Sequence, residues 1–136
     1  SNYELAGVKD RYGRFFMGPR YLNAGVLLLN LKLIKETNLF AKARHYLNKK
    51  KVFLSDQTAI NKYVRKKLIL KRVYNEQKKT KPDTVIRHFS MQFRLFPKFH
   101  FVNIKQWDIE RLHSVYKCHA FDDILYKYQQ IINKEI

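Results

Sequence analysis

The stretch Tyr21-Leu22-Asn23-Ala24-Gly25-Val26-Leu27-Leu28-Leu29-Asn30-Leu31 decides the fold. Apolar side chains fill both alternations from Val26 to Leu29. That is the pattern of a strand buried on both faces, and it places the strand in an α/β sheet. Downstream, Leu39, Phe40, Ala43, Tyr46 and Leu47 recur at helical spacing, with Thr37 or Asn38 at the capping position and Asn48 and three lysines at the far end. Ser55 precedes Asp56-Gln57-Thr58-Ala59-Ile60-Asn61-Lys62-Tyr63-Val64 and predicts a second helix, capped by the serine and suited to the helix dipole by Asp56. Leu68-Ile69-Leu70 and Thr84-Val85-Ile86-Arg87-His88-Phe89 predict two strands joined by a polar loop over residues 75–83. Residues 89–101 are aromatic without a steady period, and Pro97 breaks any regular element there, so an irregular packed stretch is expected. Asp122 or Asp123 caps a last helix, whose Ile124, Leu125, Tyr128, Ile131, Ile132 and Ile136 make one apolar stripe expected to dock on a core.

Composition bounds the class of molecule. The chain has 136 residues, 28 Lys+Arg against 11 Asp+Glu for a net charge of +17, 46% apolar residues, ten Phe and nine Tyr. That much apolar surface argues against disorder and for one globular domain or a large part of one. Cys118 is the single cysteine, which excludes an intramolecular disulfide framework and fits a reducing compartment. The longest clean apolar run, residues 24–29, is far short of the roughly 18 residues of a membrane span. Lys49-Lys50-Lys51, Arg65-Lys66-Lys67 and Lys78-Lys79-Thr80-Lys81 are the densest basic runs. They read first as solvated element ends, while the whole charge suits a polyanion: nucleic acid, anionic lipid or the phosphates of a nucleotide. No RNP-type aromatic motif, zinc-finger spacing or long basic helix is present, which argues against nucleic acid. Repeats and low-complexity segments are absent, and Gly and Pro are too few to mark a linker.

Three places can carry chemistry, each beside a structural reading. Asn23-Ala24-Gly25 lets a ligand approach the backbone closely, with the Asn amide as donor and acceptor; alone it reads equally as a tight entry turn. Asp56-Gln57 can hydrogen-bond the hydroxyls of a polyol, or simply serve the helix start. His88 ends an apolar strand, where α/β folds place ligand contacts, and is either a metal ligand or a hydrogen-bonded, partly buried imidazole. His45, His100, His113 and His119 form no recognisable zinc spacing with Cys118 and read as structural.

Order and spacing combine these signals. Residues 21–31 resemble the "(F/Y)xN(A/S)GV…(N)L" strand of family 8 glycosyltransferases, the group of the bacterial lipopolysaccharide galactosyl- and glucosyltransferases and, more distantly, glycogenin. Asp56-Gln57-Thr58-Ala59-Ile60-Asn61 resembles its "DQ-x-x-(I/L)-N" helix start, Tyr74-Asn75 its "(Y/F)N", Val85-Ile86-Arg87-His88-Phe89 its "IxHF/Y", and Asn103-Ile104-Lys105-Gln106-Trp107 a variant of its "KPW". The resemblance implies the C-terminal portion of a GT-A, Rossmann-like α/β domain that transfers a hexose from a nucleotide diphosphate sugar with retention of configuration. It implies a glycan or lipopolysaccharide-type acceptor and a divalent metal, usually Mn2+, that neutralises the leaving diphosphate. By the same resemblance His88 is a metal ligand, Asn23, Ala24 and Gly25 line the donor-sugar pocket, Asp56 and Gln57 meet the sugar hydroxyls and reacting face, and Lys105 holds a donor phosphate as a point charge.

Two departures stand out. Lys105 lies far downstream of His88, Gln106 replaces the proline and no glycine intervenes, so Arg94 and Lys98 compete for the phosphate role. Asp10 has no second Asp two positions on, and the family's Asp-x-Asp metal motif does not occur in the 136 residues. The expectation is therefore a domain whose nucleotide-binding half lies outside residues 1–136, inactive by itself and prone to self-association through an uncovered sheet, with Ser1-Asn2 a vector scar. The resemblance implies a cytoplasmic enzyme, with peripheral contact at the anionic inner membrane face. The reading from another class is a non-catalytic basic module that binds nucleic acid or an anionic surface, marked by strongly salt-dependent binding.

Overall fold

The computed structural model describes residues 2–94, 96 and 98–134. They form two compact units, residues 1–88 and 89–136, where composition predicts one domain.

In the first unit the sheet runs β2-β1-β3. Strand β1 (Leu5–Lys9) is central, β2 (Leu22–Leu29) lies antiparallel beside it and β3 (Lys67–Ile69) parallel. Strand β1 lies in a segment that sequence patterning leaves unassigned. A short helix α1 (Gly13–Phe16) joins β1 to β2, and helices α2 (Leu31–Thr37), α3 (Leu39–Lys49) and α4 (Ser55–Tyr63) follow. Register explains the layering. Leu5 and Gly7 face the same way as Leu27, Leu29 and Ile69, and this row packs with Leu22, Ile34, Leu39, Ile60 and Tyr63 into the core. Ala6 aligns with Leu28 and Leu68 on the opposite face, where Leu28 is 70% exposed. The expected two-sided burial of β2 is thus corrected: helices cover one face of a small sheet, and β2 is its edge.

Capping also differs from expectation. The predicted strand stops at Leu29 because Asn30 turns the chain, its side chain accepting from Leu33 N at 3.2 Å to cap α2. Asn38 adopts a left-handed φ of 55°, which ends α2 and starts α3 without a side-chain cap. Leu54 occupies the N-cap position of α4, so Ser55 is its first residue and makes no cap; Thr58 Oγ1 instead donates to Phe53 O at 2.7 Å. Residues 84–89 form no regular strand. Glu76 N donates to Ile86 O (2.9 Å) and His88 N to Glu76 O (3.0 Å), a single parallel bridge after the 3-10 turn Arg72–Tyr74.

The second unit holds an antiparallel hairpin, β4 (Gln92–Arg94) and β5 (His100–Val102), then α5 (Ile109–Tyr116) and α6 (Asp122–Ile132). The stretch expected to be irregular is therefore a hairpin, with Phe93, Phe99 and Phe101 packed ring against ring, while Pro97 lies outside the described residues. Val102, Ile104, Ile109, Leu112 and Leu125 form the core. Of the expected α6 stripe only Leu125 is buried; Ile124 and Ile131 are more than half exposed, and Ile136 lies outside the described residues. Phe121 holds the N-cap position, so Asp122 and Asp123 are the first helical residues and neither is the cap.

Candidate functional site

The irregularity in the β1–β2 ladder creates the site. Gly7 pairs with Leu27, yet Lys9 pairs with Leu22, so residues 23–26 bulge away from Val8. The bulge takes the amides of Ala24 and Gly25 out of the ladder, and buried amides need partners. Gln57, on α4, accepts from Ala24 N through Oε1 at 2.9 Å, and Asn23 Oδ1 accepts from Gly25 N at 2.9 Å. Helix α4 is fixed against the same strand by Asn61, which accepts from Leu22 N and donates to Leu22 O, both at 2.8 Å. Tyr21 and Thr58 join their hydroxyls at 2.8 Å.

Behind the bulge lies a buried polar chain whose direction follows from its ends. The carboxylate of Asp10, 7% exposed, only accepts. Its Oδ1 takes Tyr12 N (3.0 Å) and Gly13 N (2.5 Å), an Asx turn closing β1; its Oδ2 takes Asn23 Nδ2 (2.9 Å) and Gln57 Nε2 (3.2 Å). Asn23 therefore presents Oδ1 to Gly25 N and to Asn75 Nδ2 at 3.0 Å. Asn75, 1% exposed, must then offer Oδ1 to His88 Nδ1 at 3.2 Å. It follows that His88 donates from Nδ1, the arrangement in which a neutral imidazole would offer Nε2 to a metal. The imidazole lies against the backbone of Gly25, where an added Cβ would stand 1.9 Å from His88 Cε1. Glycine here is a requirement of close approach.

The loop carrying Asn75 and His88 is braced by charge. Arg72 pairs with Glu76 and, at 2.6 Å, with Asp83, and the hydrogen bonds it donates, to Asp83 first and Glu76 next, push the Arg72 guanidinium up. Arg87 donates to the carbonyls of Glu76, Lys78 and His88, and Gln77 donates to Lys9 O at 3.1 Å.

Of the sequence-predicted residues, the structure brings together Asn23, Ala24, Gly25, Gln57 and His88. Gln57 spends both ends of its amide inside the protein and is 6% exposed, so what it does here is hold the bulge. Asp56 is exposed in the first turn of α4, outside the polar chain. Lys105 belongs to the second unit. Asp10 and Asn75 are the members that sequence reasoning missed as site residues. The turn signal Asp-x-x-Gly at residues 10–13 marked the first; the second stood in the Tyr74-Asn75 motif, and the long-range pairing of residues 76 and 88 gives it a role. In the second unit His113 and His119, read from sequence as structural, both bond Asp122.

The edge strand of a small α/β sheet thus bulges at Asn23-Ala24-Gly25 under the imidazole of His88, beside the first turn of α4 with Asp56 and Gln57. The profile described as "Glycosyl transferase family 8" matches residues 9–117. The chain belongs to glycosyl transferase family 8, and with it to the glycosyltransferases in general. Family membership implies a GT-A-like fold, a nucleotide-sugar donor, a glycan acceptor and a divalent metal as the usual cofactor. No curated protein and no solved structure matches the chain.

Proposed function

We propose that the chain is the C-terminal portion of a retaining GT-A hexosyltransferase, taking a sugar such as galactose from a nucleotide diphosphate donor to a glycan or lipopolysaccharide-type acceptor. The observation that supports this best is the imidazole of His88, laid across Gly25 and fixed in one tautomer by the chain Asp10–Asn23–Asn75. A donor sugar reaching the Asn23-Ala24-Gly25 bulge meets it beside the His88 imidazole that covers Gly25, while Asp56, exposed on α4, is available to its hydroxyls. Gln57 serves the same face by holding Ala24.

The residues present fit a divalent metal in part. His88 has the orientation of a ligand, whereas the nearby carboxylate of Asp10 already accepts four hydrogen bonds and has no capacity left for an ion. One imidazole does not hold Mn2+ unaided, so the remaining ligands are the donor diphosphate and an Asp-x-Asp contributed from outside residues 1–136. When bound, the metal neutralises charge on the leaving diphosphate. Lys105 is kept as the candidate point charge for a donor phosphate. Exposed Leu28 and Leu68, flanking buried Ala6 on the face away from the helices, are the apolar side chains through which self-association would occur.

The test is release of nucleoside diphosphate from a panel of nucleotide sugars with Mn2+. The intact enzyme turns over one of them, and His88→Ala and Asp56→Asn each abolish turnover with the fold kept. Residues 1–136 alone give none, because positioning lost with one half is not recovered from the other. Robust turnover by residues 1–136 alone, or full activity of both variants, would overturn the reading.

A further inference from the structure

The second unit holds a group that the transferase reading leaves unused. His113 stands in the last turn of α5, His119 in the link to α6, and Asp122 is the first residue of α6. His113 Nε2 lies 2.7 Å from Asp122 Oδ1 and His119 Nδ1 3.2 Å from Asp122 Oδ2. The two imidazole rings are tilted together with centroids 4.1 Å apart. One ligand atom from each of the three residues lies within 4.8 Å of the others, and among the described residues no other group of His, Cys, Asp or Glu side chains converges in this way.

Backbone geometry holds this arrangement in place. Lys117 takes a left-handed φ of 51° and Cys118 N donates to Leu112 O at 3.3 Å, so the chain reverses directly after α5. Asp122 N donates to His119 O at 3.3 Å. Leu112 and Leu125, neighbours of His113 and Asp122 on their helices, are buried in the core of the unit. The ligands on the two helices are thus anchored from behind, and His119, 63% exposed, closes over them from the link.

We propose that His113, His119 and Asp122 bind one Zn2+ ion, with water in the fourth position, as a clip between α5 and α6. Two imidazoles and a carboxylate are a set that zinc accepts and that Mg2+ and Ca2+, which take oxygen ligands, disfavour, and zinc outranks Mn2+ in affinity at such a site. In a tetrahedral zinc site with bonds of about 2.0–2.1 Å, ligand atoms stand roughly 3.3 Å apart. The two imidazoles meet different oxygens of the Asp122 carboxylate, and with one ligand atom from each residue all separations are within 4.8 Å, so none has to close by more than about 1.5 Å. The ring protons now shared with Asp122 move to the other ring nitrogen or to solvent when the ion enters, so the ligands become neutral imidazoles and an ionised carboxylate. Inner-sphere bonds carry the affinity, since the net charge of +17 repels any cation held by charge alone.

Chelator-treated protein titrated with Co2+ and then Zn2+ gives the test, read by the visible absorption of bound Co2+ and by competition with a chromophoric chelator. One ion per chain is expected, with Zn2+ displacing Co2+ and raising the melting temperature. His119→Ala should weaken Zn2+ binding by about 100-fold or more, at least the upper loss seen for outer-shell partners of metal sites. His119→Cys should restore it. The exposed position of His119 means that neither variant threatens the fold, which circular dichroism checks. His88→Ala should leave Zn2+ binding unchanged, which separates this site from the transferase reading. Absence of binding at millimolar Zn2+, equal affinity in wild type and His119→Ala, or loss of binding in His88→Ala would each overturn the proposal.

Discussion

At Gly25 a single hydrogen decides whether His88 keeps its place. A methyl group there would coincide with the imidazole, so Gly25→Ala is expected to expel His88 from its bond with Asn75 while leaving the helix-facing core intact. Asn75 is as constrained. Asn75→Ala leaves Asn23 Oδ1 one donor short in a buried place, at a cost of about 1–3 kcal/mol, measured by denaturant unfolding. It also frees the His88 tautomer. Nitrogen-15 spectra should show His88 protonated at Nδ1 in the wild type and a mixture of both forms in Asn75→Ala; an Nε2-protonated wild type would refute the ordering of the chain. Asn23, Gly25, Gln57 and His88 were legible from sequence because each sits in a short motif. Asp10 was not, and Asn75 was legible only as half of the Tyr74-Asn75 motif with no role attached, because the hydrogen bonds that make both matter span long loops.

Elements were read best where one side of the pattern is covered. Helices α3 and α4 lie where periodicity places them, since both present an apolar stripe to the sheet. The hairpin β4–β5 was illegible because its strands are three residues long, too short for a period to register. On α6 the stripe was real in sequence but only Leu125 found a core. Leu112→Ala, at a fully buried position of α5, should therefore cost about 2–5 kcal/mol, whereas exposed Ile131→Ala should be near neutral; comparable losses would place the core elsewhere. Glu4 ties β1 to the start of β3, its Oε2 accepting from Arg65 N at 2.6 Å and Lys66 N at 3.0 Å. Burial alone would push its carboxyl up, but the nearby Thr37 hydroxyl, those two amides and the Arg65 charge hold it below the usual range. A depressed pKa stabilises the fold above the ordinary carboxyl value of about 4.3 and ceases to do so as pH falls through the folded value. Glu4→Gln should consequently be less stable than wild type at pH 7 and lose less stability on acidification; parallel stability–pH curves would contradict this.

Taken whole, the molecule pairs a strongly basic chain with a site built from neutral amides, one carboxylate and one imidazole. The charge of +17 suggested polyanions without choosing one, and the family match over residues 9–117 made the choice. Five short motifs in order carried that information in the sequence; the convergence of the four in the first unit on one bulge is what folding adds. The central claim is that the bulge at Gly25 and the imidazole it accommodates form the donor face of a sugar transferase. Its most direct test is Mn2+-dependent release of nucleoside diphosphate by the intact enzyme, wild type against Gly25→Ala, with melting temperatures measured in parallel. The account predicts turnover in the wild type and a loss of roughly 100-fold or more in Gly25→Ala at nearly unchanged stability, the scale of a misplacement of about 1 Å in a positioned site. Equal turnover by the two proteins would contradict it.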